Sequence, residues 1–149
     1  SETDMVSVTE EGQVTSSHAI TVQMDKLFDE GDFGTADMIV LPGGMPGTKN
    51  LEAFGPLMDM VDAFYGEKKL LGAICADPSI FGHKGMLKGR KACCFPEFES
   101  HLEGAEVTKN PVESSDFIIT GRGMGCAVDF GLAIVEKFQG EDAAAALAE

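Results

Sequence analysis

The chain contains no tryptophan and one tyrosine among its 149 residues, and its 11 lysines and arginines are outnumbered by 25 aspartates and glutamates. A formal charge of −14 creates a field that repels phosphate backbones and anionic lipid, so neither nucleic acid nor a membrane surface is an expected partner. No apolar run approaches the ~18 residues of a membrane span, and no basic segment followed by an apolar stretch opens the chain. Cysteine is scarce and unpaired in spacing: Cys75, Cys93, Cys94 and Cys126 fit neither a disulfide framework nor a zinc site. Cys93 and Cys94 are adjacent, so on a strand their side chains point to opposite faces. His18, His83 and His101 show no metal-ligand spacing and read as surface or helix-end residues. No metal or cofactor is therefore expected, and a cytoplasm that keeps thiols reduced is the expected compartment. The start at Ser1 rather than at methionine leads us to expect that something upstream has been removed.

What is present is enough apolar residue, 44%, for one domain over residues 1–149 with a real core. Alternating β-branched residues in Met5–Val22 predict two short strands turning around Glu11-Gly12. Buried strands are predicted in Asp37–Leu41, Lys68–Ile74, Lys91–Phe95 and Ser115–Gly123. Leu57, Met58, Val61, Phe64 and Tyr65 recur at helical spacing between Pro56 and Gly66, a short helix is expected near Glu97–Leu102, and two more helices from about Cys126 onward. Strands alternating with helices predict an α/β sandwich with a mostly parallel sheet and a ligand site at the carboxyl ends of its strands.

The most informative stretch is "GAICADPSIFG", Gly72 to Gly82, an apolar strand ending on Cys75 and passing directly into a helix start. A nucleophile on such a turn is exposed at the top of the sheet, with the first N–H groups of the helix aimed at it, a setting that favours a thiolate. Asp77 stands at the helix N-cap position and Pro78 at the first helical position. A second loop, "LPGG" at Leu41–Gly44, also follows a strand, and its glycines let backbone N–H groups approach a ligand. "GRGMG", Gly121–Gly125, lacks both the phosphate-loop lysine and the dinucleotide-binding spacing, which leaves close backbone packing as its explanation.

Together "ADMIVLPGGMPGTKNL", "LLGAICADPSIFG", "LKGRKACCFPEFESHLEGAEV" and "DFIITGRGMGCAVDFGLAIVEKFQG" resemble, in order, the blocks of the DJ-one/ThiJ/PfpI family, from about Val6 to the end. The resemblance implies a flavodoxin-like three-layer sandwich, usually a homodimer, with Cys75 as reactive or oxidisable thiol. It implies backbone N–H groups of Gly44 and Ala76 at an oxyanion, with Gly43, Asp77 and Phe95 as neighbours of the thiol. Members are described as glyoxalases, deglycases, redox sensors, chaperones or proteases. Thiol chemistry on small reactive carbonyls is the expected activity, as a hydrolase or lyase. The alternatives are a redox-sensing or chaperone-like protein in which Cys75 is oxidised without turnover, and an inactive fragment.

Three departures from the family pattern bear on this. The first strand and helix, with a glutamate that hydrogen-bonds the cysteine, are not found at the start of this sequence, which leads us to expect the larger part of a split, cleaved or truncated polypeptide; a short companion chain as partner, or a gap in the sheet, decides between these. Phe95 stands where some relatives carry a histidine and Ala76 where the protease branch has one, so no family histidine serves as base. Asp77 replaces a usual glycine, and its expected role is helix cap rather than carboxyl partner of Cys75.

Overall fold

The computed structural model describes residues 2–149. β1 (Val6–Ser7), β2 (Gln13–Thr15), β3 (Thr21–Gln23) and β4 (Lys26–Leu27) come first, followed by β5 (Met38–Leu41), α1 (Gly47–Ala53), α2 (Gly55–Gly66) and β6 (Leu70–Ile74). Then come α3 (Pro78–His83), β7 (Lys91–Ala92), β8 (Glu106–Val107), β9 (Val112–Ser115), β10 (Ile118–Gly121), α4 (Ala127–Gln139) and α5 (Glu141–Ala148). The main sheet has the order β5-β6-β10-β9, parallel across β5-β6 and β6-β10 and antiparallel at β9-β10.

The period-2 alternation of strands assigns each face of this sheet. Ile39, Leu41, Leu71, Ala73 and Ile118 point to one side, into a core closed by Leu57, Val61 and Phe64 of α2 and Ile80 and Phe81 of α3. Ile74 and Ile119 point to the other, under Phe130 of α4. Helices on both faces make a flavodoxin-like α/β sandwich. Glycine keeps α4 close: a Cβ at Gly121 would lie 3.0 Å from the Phe130 ring and 2.8 Å from Ile74 Cγ1. Close packing thus accounts for the first glycine of the Gly121–Gly125 segment.

Several sequence expectations shift in place. The hairpin of the N-terminal segment is β2-β3, and its turn spans Ser16 to Ile20 rather than Glu11-Gly12. The Ser16 hydroxyl accepts the N–H groups of His18 and Ile20, while Thr9 and Glu11 are held in bends by the Ser7 and Thr9 hydroxyls. The strand expected over Lys91–Phe95 stops at Ala92, because the Cys93 N–H donates to the hydroxyl of Thr120 in β10 at 3.1 Å instead of to a backbone carbonyl. The expected Ser115–Gly123 strand is a hairpin, β9 and β10, turning at Asp116 with φ +53°. Helix α1 carries too short an apolar pattern to be foreseen. β1 and β4 form a separate parallel pair, and β5 pairs with β6 alone among the described residues, leaving its other edge without a strand. No helix is long and apolar enough to cross a membrane among the described residues.

Candidate functional site

Cys75 follows directly on β6, and its backbone has φ +66°, the left-handed region that a side chain with a Cβ occupies only under strain. The surrounding chain enforces it. The Cys75 N–H donates to the Gly121 carbonyl at 3.0 Å, extending the β6-β10 pairing by one residue. The Cys75 carbonyl accepts the Phe95 N–H at 2.7 Å, and the Asp77 N–H turns back to the Ile74 carbonyl at 3.3 Å. The strand therefore ends and the chain reverses within two residues. That reversal leaves the Cys75 side chain partly exposed where β5, β6 and β10 all end.

The Pro42–Gly44 loop packs onto this turn. Gly43 and Gly44 have φ +81° and +89°, and an added Cβ on Gly43 would lie 2.5 Å from the Ile74 carbonyl oxygen and 2.9 Å from Cys75 Cβ. Only glycine permits both that conformation and that approach. The Gly44 carbonyl accepts the Thr48 N–H at 2.8 Å and the Thr48 hydroxyl at 3.0 Å, which fixes the loop to the start of α1. The N–H groups of Gly44 and Ala76 donate to none of the backbone or side-chain acceptors of the described residues.

Asp77 does something other than cap α3. Its backbone is already helical, φ −68° and ψ −24°, and its side chain makes no cap hydrogen bond. The N–H groups a cap would serve are already used: Ser79 donates to the Ala76 carbonyl at 3.1 Å and Ile80 to the Asp77 carbonyl at 2.9 Å. The carboxylate turns instead to the glycine loop, where Oδ2 accepts the Gly43 N–H at 2.6 Å, a bond spanning 34 residues. Asp77 is 0% exposed, and its Oδ1 is buried with no hydrogen-bond partner. Burial pushes its carboxyl above the ordinary aspartate value, against the opposing pull of the Thr48 hydroxyl and the Gly43 N–H, with the Glu52 charge adding to the rise. Asp77 thus clamps the elbow to the loop.

The remaining thiols divide by burial. Cys94 lies in the main core with its pKa pushed up to about 12, first by burial and then by Glu99. Cys93 is buried with Sγ 3.3 Å from the Thr120 carbonyl, and burial raises it too, against the Thr120 hydroxyl. Both stay protonated near neutrality, whereas Cys75 and Cys126 are partly exposed. Phe95 is 45% exposed beside the elbow, tied to it by its backbone, and Gly123 lies against its ring. Among the described residues no group of three or more His, Cys, Asp or Glu side chains is placed to hold a metal ion. What sequence reasoning missed is the Asp77–Gly43 bond. Its one available signal was a carboxylate standing where the family has glycine, at a helix start whose N–H groups need no side chain.

A strand–cysteine–helix elbow at the carboxyl end of a parallel sheet, faced by a glycine loop, defines an α/β protein built around an accessible thiol. The model of the DJ-1/PfpI family matches residues 1–137, and the chain belongs to that family. It is 37% identical over 131 residues to Protein DJ-1 homolog B of Arabidopsis thaliana, covering 87% of this chain and 30% of the relative. It is 32% identical over 109 residues to the glutathione-independent glyoxalase DJR-1.2 of Caenorhabditis elegans, covering 72% of this chain and 58% of that one. The chain thus spans about a third to three fifths of the length of these relatives. The solved structure of oxidised Toxoplasma gondii DJ-1 superposes with a TM-score of 0.91 at 30% identity, over 97% of this chain and 79% of that one.

Proposed function

We propose that Cys75 is the nucleophile of a glyoxalase- or deglycase-like activity on small reactive carbonyls such as methylglyoxal. The observation that carries this is the strained Cys75 turn, which costs of order 1–3 kcal/mol and places the thiol of the elbow at the protein surface. The name of the nematode relative supports the same reaction class. In the proposed path the thiolate forms a bond to the aldehyde carbon, and the carbonyl π pair moves to oxygen. The N–H groups of Gly44 and Ala76 stabilise that oxyanion, and Asp77 holds the loop that carries one of them. Protonation gives a hemithioacetal. Transfer of its C–H proton to the neighbouring carbonyl carbon through an enediol gives a thioester, and water then releases lactate and restores the thiol. No histidine base takes part, because Phe95 and Ala76 occupy those positions.

The protein acts in this reading as a homodimer in a reducing cytoplasm. A further strand, from an upstream segment or a separate short chain, completes the sheet at the free edge of β5. The test is lactate formation from methylglyoxal by the wild-type chain and by Cys75→Ser. Production lost in the variant supports the proposal, and production equal in both, or absent from both, overturns it. Oxidation of Cys75 without turnover is the second reading, favoured by the burial of Cys93 and Cys94, which confines oxidation to the exposed thiols. Intact mass after peroxide, with and without Cys75, decides it.

A further inference from the structure

Three residues far apart in sequence, Glu52, His83 and His101, meet on the surface at the far end of α3 from the elbow. His83, in the last turn of α3, has Nδ1 2.5 Å from Glu52 Oε1 of α1, and its Nε2 lies 2.8 Å from His101 Nδ1, in the single turn Glu99–His101. The two imidazoles stand at 73° with centroids 5.0 Å apart, and the Phe98 ring lies 5.8 Å from that of His101. Glu52 and His83 are 37% and 41% exposed, and His101 is exposed too. Nothing in the thiol chemistry uses them.

The backbones under the two histidines are locked together. A Cβ on Gly82 would lie 2.0 Å from the His101 carbonyl oxygen and 3.0 Å from Leu102 Cα, so α3 and the Glu99–His101 turn touch through their main chains. The rings are held in reach of each other by the fold, and each turns about its own side-chain torsions in solvent. Glu52 on Nδ1 fixes one tautomer: with that nitrogen carrying the proton, neutral His83 presents Nε2 as a lone pair on the side facing His101. A carboxylate behind an imidazole, with a second imidazole in front, is the outer and inner arrangement of a histidine metal site.

We propose that His83 Nε2 and His101 Nδ1 form a two-imidazole binding site for a late divalent transition metal, copper(II) or nickel(II), with Glu52 as the outer carboxylate. The donor set selects the class: imidazole nitrogens suit first-row transition ions, whose affinity rises through nickel(II) to copper(II) and falls again at zinc(II). In the metal-free protein the two nitrogens share a hydrogen bond at 2.8 Å, and on binding both rings turn so that their lone pairs converge on one ion. Only two protein atoms ligate, so the remaining positions are taken by water or by a small exogenous ligand. The −14 charge of the chain draws cations to the surface. Proton balance is simple: between two neutral rings the shared proton moves to His101 Nε2 and none is released, whereas a protonated cluster releases one proton for each imidazolium it held.

The test uses nickel(II), which does not oxidise thiols, and an untagged chain in which Cys75→Ser removes the elbow thiol as a competing ligand. Isothermal titration above neutrality is expected to show one equivalent bound, more tightly than zinc(II). His83→Ala and His101→Ala are each expected to weaken binding at least tenfold. Glu52→Gln is expected to weaken it while keeping one equivalent, because it alters only the orientation and basicity of His83. All three side chains are exposed, and circular dichroism of each variant confirms that the fold is kept. Absence of binding, indifference to His101→Ala, or zinc retained more tightly than nickel each overturns the proposal.

Discussion

Replacing Cys75 by glycine and by alanine isolates the strain of the elbow from its chemistry, because both variants lack the thiol. At an ordinary helical position glycine is less stable than alanine by about 1 kcal/mol. At Cys75, with φ +66°, the sign should invert. A residue with a Cβ pays about 1–2 kcal/mol in the left-handed region, which glycine does not. Glycine gives back about 0.4–1 kcal/mol through the larger entropy of its unfolded chain. The difference leaves Cys75→Gly more stable than Cys75→Ala by about 0.5–1 kcal/mol, a rise in Tm of about 1–4 °C for a chain of this length. Urea unfolding with equal m-values in the two variants is the assay, since a changed slope signals a changed end state. A glycine variant less stable than the alanine variant would refute the reasoning: the turn would then be relaxed, and the left-handed backbone would store nothing for the thiol to exploit.

Two further substitutions probe the other half of the site. Gly43→Ala combines a left-handed φ of +81° with a Cβ 2.5 Å from the Ile74 carbonyl oxygen, so a loss of about 2–5 kcal/mol is expected, together with an altered rate of Cys75 alkylation. Unchanged stability and alkylation would mean that the loop does not rest on the elbow. Asp77→Asn keeps an acceptor for the Gly43 N–H but removes the titrating group. Because the folded carboxyl titrates above its ordinary value of 3.8, the folded state binds the proton more tightly than the unfolded state does. Asp77 therefore costs nothing below about that value, and its penalty develops as pH rises through the raised pKa. The stability of Asp77→Asn relative to wild type should accordingly climb over that window. Urea unfolding from pH 3.5 upward reads the difference, in which the other acids cancel, and a pH-independent offset would count against a buried, desolvated carboxyl.

Much of this protein was legible before any coordinates. Three of the four apolar runs, Asp37–Leu41, Lys68–Ile74 and Ser115–Gly123, named the strands of the main sheet, Pro56 and Pro78 marked the starts of two helices, and Cys75 at a strand–helix join announced its partial exposure, because periodicity and punctuation are local properties of the chain. Strand ends were less legible. Whether Cys93 continues β7 depends on the Thr120 hydroxyl, 27 residues away, and whether the N-terminal hairpin turns at Gly12 or at Ser16 depends on which hydroxyls reach which N–H groups. Asp77 makes the contrast sharpest. From sequence its place before Pro78 reads as a cap, the commonest local use of an aspartate there. Only the fold brings Gly43 across 34 residues to its carboxylate, and only burial among packed elements shifts its titration. His83 and His101 likewise become neighbours through the contact of Gly82 with the His101 backbone. The sequence by itself determined most of the elements, the family and the place of Cys75 at a strand–helix join, because those follow from short-range pattern. Tertiary structure decided the partners of Asp77, the two buried thiols and the paired histidines, because hydrogen bonding and desolvation act between groups that only folding brings together.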